Sequence, residues 1–313
     1  MTMIDVNLVA ARNEARDIRL LELAAASGEV LPPVEPGAHI DLQLPGGVVR
    51  QYSLTNVAKQ PRKYAIVVKR DPASRGGSRY IFDDLQVGQT LRISAPRNTF
   101  RLVDEAVPAV LIAGGIGITP IWAMVQHLKA TGRRWELHYS CRSRGDMAFL
   151  GELQGLAQAR LHFDDERQGQ LLDLAAIVDN APEDATFYCC GPQPMLAAFE
   201  RATAALPAVR VHSERFQPAV PASTSRSFDV VLQRSGRTVR VPAGRTILDV
   251  LLEESVGVDY SCELGICGVC ETAVLEGVPD HRDAILTAEE RQAGDRMMVC
   301  CSRCKGDRLV LDL

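Results

Sequence analysis

No apolar run in the sequence is long and unbroken enough to cross a membrane. The longest candidate, Ala106 to Trp122, is interrupted by Pro108, Gly114, Gly115, Gly117 and Pro120, whereas a span needs about 20 predominantly apolar residues. The opening stretch MTMIDVNLVAARNEARDIRL has no basic segment leading into an apolar one. No export signal is therefore expected, and a reducing, cytoplasmic compartment is. Positive charge is not in excess: the formal net charge is −4 and the pI about 5.9, which argues against a nucleic-acid partner. Histidines stand at 39, 127, 138, 162, 212 and 281 with no H-x-x-x-H pair, which argues against a histidine metal centre. Internal repeats and low-complexity tracts are missing too. The remainder is ordinary globular material: 313 residues, 46% hydrophobic and 24% charged, enough for two domains or three small ones.

Three blocks follow one another. Residues 1–102 alternate short β-rich runs, HIDLQL (39–44), RQYSLT (50–55), YAIVVKR (64–70) and TLRISAP (90–96), with Gly- and Pro-bearing turns. Such spacing predicts a small antiparallel barrel. Residues 103–221 alternate apolar runs at 109–113, 135–141, 159–163, 186–190 and 209–216 with helical patterns over 120–130, 147–157, 170–179 and 193–205. That rhythm predicts a doubly wound parallel α/β sheet. Gln217 to Ser225 is rich in Pro and Ser and reads as a linker. Residues 226–313 open with a hairpin pattern (FDVVLQRSG, RTVRVPAG), continue into a short helix (ILDVLLEES) and close on a strand, LVLDL. This last block holds 11 Lys+Arg against 15 Asp+Glu, while the preceding 225 residues hold 24 of each. The whole negative excess therefore sits in one lobe, where it serves solubility or the docking of a partner.

Six of the nine cysteines fall in the last 52 residues, at 262, 267, 270, 300, 301 and 304. Clustered cysteines in a reducing compartment bind metal or carry redox chemistry more often than they form disulfides. Cys262, Cys267, Cys270 and Cys300 stand as C-x4-C-x2-C-x29-C. The first three have the spacing that brings thiolates to a plant-type 2Fe–2S cluster. Zinc sites come as two C-x2–4-C pairs, and here there is one C-x2-C pair. By spacing alone the fourth ligand is open among Cys300, Cys301 and Cys304.

Two strand-to-helix junctions in the second block suit a dinucleotide. The run AVLIA leads into Gly114-Gly115-Ile-Gly117-Ile-Thr119-Pro120, where glycines let a pyrophosphate approach the backbone. Thr119 can cap the following helix and Pro120 suits its first turn. The third glycine of G-x-G-x-x-G is missing, so a plain tight turn would look similar. The second junction, TFYCC ending in Cys190-Gly191-Pro192, lies in the same predicted sheet, and paired junctions of this kind are where open α/β sheets bind ligands. Arg142-Ser143-Arg144 follows the second strand, at the adenosine ribose, and could accept a 2′-phosphate. In the first block Arg50 and Tyr52 share one strand face and Gln51 and Ser53 the other. Tyr52 can flank a flavin ring, Arg50 can grip a phosphate and Ser53 can reach the ring edge, though a surface barrel strand could look the same.

The Arg-x-Tyr-Ser strand, GGIGITP, the Cys-Gly-Pro loop and the cysteine block, in this order, resemble the phthalate dioxygenase reductase-like family, nearest to its vanillate O-demethylase reductases. The resemblance covers essentially the whole chain. It implies three domains: a flavin-binding antiparallel β-barrel (1–102), a doubly wound NAD-binding domain (103–221) and a β-grasp plant-type ferredoxin domain (226–313). It implies FMN held by Arg50, Tyr52, Ser53, Val67, Val68, Lys69, Gly76, Gly77 and Ser78, with Phe216 of Glu214-Arg215-Phe216 covering the ring. It implies NADH, with NADPH the alternative that Arg142 and Arg144 raise, bound by Gly114, Gly115, Gly117, Thr119, Pro120, Arg142, Cys190, Gly191 and Pro192. Tyr52, Ser53, Cys190 and Phe216 would then surround the hydride transfer. The apolar run Met297-Met298-Val299 before Cys300 makes Cys300 the fourth cluster ligand by the same likeness. The implied activity is that of a reductase passing electrons from NADH through FMN and 2Fe–2S to a separate Rieske-type terminal oxygenase. The alternative is an FAD-dependent reductase serving a cytochrome P450 or a diiron hydroxylase.

Overall fold

The computed structural model describes residues 3–313 apart from 73, 75, 104–106, 217–225 and 264. The linker expected at 217–225 lies outside the described residues. The chain divides into two compact units, Met1–Glu214 and Arg215–Leu313.

The first unit begins with six antiparallel strands: β1 (Met3–Ala15), β2 (Ile18–Ala25), β3 (His39–Leu44), β4 (Val48–Ser53), β5 (Lys63–Lys69) and β6 (Thr90–Ser94), in the order β4-β3-β6-β1-β2-β5. Alternating residues of these strands, among them Val6, Leu8, Ile40, Leu42, Ile66, Val68, Leu91 and Ile93, fill one core. An isolated antiparallel bridge, Leu54 to Ile66, closes β4 on β5 and makes the sheet a barrel. The seam is sealed at that end by Thr55 N donating to Ala65 O (2.8 Å) and by Ala65 N donating to Asn56 Oδ1 (2.7 Å). Between β5 and β6 runs a short helix, α1 (Gly77–Asp83). The sequence named β3 to β6; the β1–β2 hairpin is an addition, long and mostly polar outward, with register shifts that break its alternation.

The same unit continues into a parallel sheet of β7 (Ala109–Gly114), β8 (Trp135–Cys141), β9 (Ala159–Phe163), β10 (Thr186–Cys190) and β11 (Val211–Glu214), ordered β11-β10-β7-β8-β9. Every residue of β7 is buried, as expected for a strand covered on both faces. Its helices are α2 (Ile118–Thr131), α3 (Leu150–Leu153), α4 (Leu174–Asp179) and α5 (Gln193–Ala202). Helix was expected over 147–157, but α3 lasts four residues. It starts after Phe149 in the left-handed region (φ 59°), and Gly151 and Gly155 weaken continuation. Helix was also expected from 170, but Gln168 and Gly169 adopt positive φ, and Asp173 caps a later start by accepting from Ala176 N at 3.0 Å. Barrel and sheet join through Gln126 Nε2 donating to Thr55 O (2.5 Å) and Phe149 N donating to Glu14 Oε1 (3.0 Å).

The second unit holds β12 (Phe228–Leu232), β13 (Arg237–Val241), α6 (Ile247–Glu253), β14 (Glu271–Glu276), β15 (Pro279–Asp280), α7 (Ala288–Ala293), β16 (Arg296–Met298), β17 (Arg303–Cys304) and β18 (Arg308–Leu311). The main sheet is ordered β13-β12-β18-β14-β16, with β12 and β18 parallel at its centre. Ile247, Leu248 and Leu251 of α6 belong to its core. The helix opens on a capping box, Thr246 Oγ1 accepting from Asp249 N and Asp249 accepting from Thr246 N, both at 3.0 Å. This is a β-grasp arrangement, with the cysteine loop between α6 and β14.

Candidate functional site

The barrel seam that closes at Leu54 opens in the other direction. Extending the register past the Leu54–Ile66 bridge sets Ser53 against Val67 and Tyr52 against Val68, yet among the described residues no ladder continues there. The strands therefore border a slot with backbone groups on both rims. Ser53, Val67 and Val68 are buried, and Val68 faces the barrel core, so it can offer a ligand its backbone only. Tyr52 packs on the same core, and burial pushes its phenol up, partly opposed by Arg50. Arg50 runs across the start of α1: a Cβ on Gly77 would lie 2.8 Å from Arg50 Cγ and 3.1 Å from Nε. Gly77 is glycine because this arginine occupies its side-chain space. Gly76, at φ 102°, precedes the helix and no side chain caps it. Ser78 Oγ accepts from Asp71 N at 3.1 Å. A guanidinium, a helix start and two glycines thus meet at one end of the slot, a donor set suited to a terminal phosphate. Lys69 is exposed at the end of β5. β5 runs against the Gly115–Gly117 turn that follows β7, so the slot abuts the parallel sheet. Burial pushes the Cys141 thiol, at the end of β8, up to about 11.

The strand order of that parallel sheet reverses between β7 and β10, and ligands bind open α/β sheets at the carboxyl ends of strands beside such a reversal. The two loops there touch backbone to backbone. A Cβ on Gly117 would stand 2.2 Å from Cys190 O and 2.8 Å from Gly191 N, and one on Gly114 would stand 2.7 Å from both Pro192 Cδ and Met195 Sδ. Gly115 takes φ 53° and its carbonyl accepts from Tyr139 Oη at 3.0 Å. Thr119 does not cap the helix. α2 starts at Ile118 after Gly117, and the Thr119 hydroxyl, buried, donates to Ile116 O at 3.0 Å. Pro120 is the third helical residue, where its missing N–H costs no hydrogen bond. Arg142 is exposed, and its carbonyl accepts from Asp165 N at 3.0 Å.

Cys190 is fully buried and its thiol is held well above the ordinary range by that burial, with Glu214 adding to the effect. Glu214 is its register partner on β11. Burial pushes the Glu214 carboxyl up to about 8, and its Oε2 is sealed without a hydrogen-bond partner among the described residues. The sequence named Glu214 without a role; a carboxylate ending an apolar strand was the available signal. Phe216 is half-buried and belongs to the second unit.

In the cysteine loop the thiols cluster around Cys262 and Cys300. Cys267 is in hydrogen-bonding contact with Cys262, and Cys300 with Cys262, Cys270 and Cys301. These contacts, then burial, push Cys267 and Cys300 upward, whereas the contact from Cys300 lowers Cys270. Thiolates so close cannot all ionise without a cation among them. Among the described residues no group of three or more His, Cys, Asp or Glu is set for a single metal ion. Cys262, Cys267, Cys270 and Cys300 instead form one connected set of thiols, the four donors that a 2Fe–2S cluster would take. Gly265 (φ 71°) fits here because a Cβ would come within 2.4 Å of Cys301 Sγ. Cys304 lies apart, its Sγ against Arg308 O at 3.4 Å.

A barrel with a slot ending in a phosphate-suited donor set, a dinucleotide crevice and a four-thiol loop define an oxidoreductase that moves electrons between a pyridine nucleotide, a flavin and an iron–sulfur centre. Three domain families match accordingly: an oxidoreductase FAD-binding domain over 5–102, an oxidoreductase NAD-binding domain over 111–201 and a 2Fe–2S iron–sulfur cluster binding domain over 230–305. The chain is 50% identical to phenoxybenzoate dioxygenase subunit beta of Ectopseudomonas oleovorans, over 100% of this chain and 98% of that one. It is 43% identical to a vanillate O-demethylase oxidoreductase of a Pseudomonas species, over 99% and 100%. Among solved structures it is similar to phthalate dioxygenase reductase (TM-score 0.80, 38% identity, 99% and 98% covered). It is also similar to part of an intact type IV self-sufficient cytochrome P450 monooxygenase (TM-score 0.83, 42% identity), spanning 99% of this chain and 41% of that one. The chain belongs to the phthalate dioxygenase reductase-like family. No helix among the described residues is long and apolar enough to cross a membrane.

Proposed function

We propose that the chain is the reductase component of a multicomponent aromatic oxygenase or O-demethylase, taking electrons from NADH and delivering them singly to a Rieske-type terminal oxygenase in the cytoplasm. Its working parts would be an FMN barrel (1–102), an NAD domain (103–221) and a 2Fe–2S domain (226–313). Bound flavin and cluster supply the conversion of one two-electron step into two one-electron steps.

The observation that carries this reading is the convergence of Arg50 with Gly76, Gly77 and Ser78 at the end of a slot whose β5 rim runs against the Gly115–Gly117 turn of the crevice. A phosphate held there suits FMN, which ends in a phosphate. Ser53 and the rims at Tyr52 and Val67–Lys69 would orient the ring, and Phe216 would cover it. Gly114, Gly115, Gly117, Thr119 and Pro120 would carry the pyrophosphate, with Arg142 at the ribose. Cys190, Gly191 and Pro192 would position the nicotinamide. Cys190 stays a neutral thiol there, so it can border the nicotinamide without attacking the ring as a thiolate nucleophile would. Cys262, Cys267, Cys270 and Cys300 would hold the cluster.

Chromatography of the acid-extracted flavin, with iron and sulfide analysis, tests the cofactors: FMN with equal iron and sulfide is expected, and FAD or zinc overturns the assignment. Turnover with a purified Rieske oxygenase against a cytochrome P450 tests the partner. The second reading, an FAD-dependent reductase for a P450, is favoured by the likeness to the self-sufficient P450 and would be supported by FAD in the extract with coupling to the P450 alone.

A further inference from the structure

The carboxyl ends of β8 and β9 carry a charge pair that hydride transfer does not use. Cys141 and Phe163 are register partners there. Arg144 and Glu166 each lie three residues further on, and their side chains meet head to head. Arg144 Nε donates to Glu166 Oε1 at 2.5 Å and Nη2 donates to Oε2 at 3.1 Å. The guanidinium also lies over the Phe163 ring, 4.3 Å from its centroid. Phe163 is itself buried. Two parallel bonds and a stacked plane fix this arginine as a lone surface ion pair would not. The bond from Glu166 also raises the guanidinium's pKa, with Asp165 adding to it. Asp164 is taken up elsewhere, accepting from Ser140 Oγ at 3.3 Å and lying 3.7 Å from His162 Nε2.

The position matters. In dinucleotide-binding sheets the residue that reads the ribose 2′ position follows the second strand, about 20 residues beyond the glycine loop. Arg142 to Arg144 occupy that place behind Gly115 and Gly117. An arginine there accepts a 2′-phosphate, while a carboxylate repels it. We propose that Glu166 sets the coenzyme preference by keeping Arg144 already paired, so that the 2′-phosphate of NADPH meets a carboxylate instead of an open guanidinium. This rests on the reductase reading above and names the residue pair behind its choice of NADH.

The test uses the full-length holoprotein and ferricyanide reduction with each coenzyme, for wild type, Glu166→Gln, Arg144→Gln and the double variant. Inhibition by 2′,5′-ADP and by 5′-AMP gives a binding readout independent of turnover. Glu166→Gln is expected to lower the NADPH KM and the 2′,5′-ADP inhibition constant about tenfold, the scale of one charge-assisted bidentate pair, with 5′-AMP unmoved. Adding Arg144→Gln should take both gains away. If Glu166→Gln moves neither value, or the gains survive in the double variant, the proposal is wrong while NADH oxidation by the wild type leaves the reductase reading standing. A wild type that prefers NADPH overturns the proposal as well. A wild type that oxidises neither coenzyme overturns the reductase reading itself.

Discussion

The nucleotide crevice and the cysteine loop are both built on glycines, but to opposite ends. At the crevice, Gly114 and Gly117 remove side chains so that one backbone can rest on another: the space a Cβ would need is filled by Cys190 O, Pro192 and Met195. No formal charge is needed there, only peptide dipoles and a closed fit. In the cysteine loop, Gly265 makes room for a sulfur, and the chemistry lies in side chains that repel one another until a cation joins them. The first site is complete as a surface. The second is complete only when loaded.

The contrast breaks most sharply at the ligands. Cys300→Ser should cost the cluster, bleaching the visible absorption of the holoprotein beyond that of its flavin. Cytochrome c reduction through the cluster should fall to background, while NADH-dependent ferricyanide reduction persists. Cys301→Ser and Cys304→Ser should keep the cluster. A bleached Cys301→Ser beside a coloured Cys300→Ser would move the ligand by one residue.

At the crevice the lesion should be steric. Gly117→Ala drives a methyl into the Cys190–Gly191 peptide, which has no flexible end to yield. NADH-dependent ferricyanide reduction should fall about a hundredfold, the cost of misplacing reacting groups by about 1 Å, with flavin and cluster spectra intact. Wild-type turnover in this variant would mean that the two loops do not set the hydride geometry. Gly77→Ala is milder, because it displaces a side chain, Arg50, instead of a backbone. The expected outcome is about a tenfold weaker hold on flavin, read as substoichiometric flavin on purification and recovery of activity with added FMN.

What the sequence made legible follows the same division. Strands β8, β9 and β10 match the predicted runs WELHYSC, ARLHF and TFYCC residue for residue. β10, buried throughout, reads as the apolar block of a strand covered on both faces, while WELHY and ARLHF alternate apolar with polar residues, β9 standing at the sheet edge. The glycine and cysteine motifs were legible because residue type and spacing carry their chemistry. Two features were not. The Cys190–Glu214 and Arg144–Glu166 pairs come from parallel register between strands separated by a crossover, and no local pattern announces which strand will lie beside which. Thr119 looked like a cap because it follows a glycine turn, but the helix starts one residue earlier and turns its hydroxyl back to Ile116 O.

The smallest expected effect concerns Glu214, the half-buried register partner of Cys190, whose Oε2 is sealed from solvent. Its pKa is about 8 in the folded chain, raised from 4.5 by burial. Between those values the folded state holds a proton that the unfolded chain releases. Stability must therefore fall as pH rises through this window and level off above about 8. Glutamine keeps the shape and cannot ionise. Thermal unfolding of Glu214→Gln and wild type should agree near pH 4.5 and diverge steadily to pH 8.5, the variant being the more stable by about 1–3 kcal/mol, within the scale of 1.36 kcal/mol per pKa unit. Its Cys190 thiol should also react at lower pH, since the neighbouring charge that holds it up above pH 8 is gone. Parallel curves for the two proteins across that window would place the Glu214 carboxyl in contact with solvent and remove the reason for its silence at neutral pH.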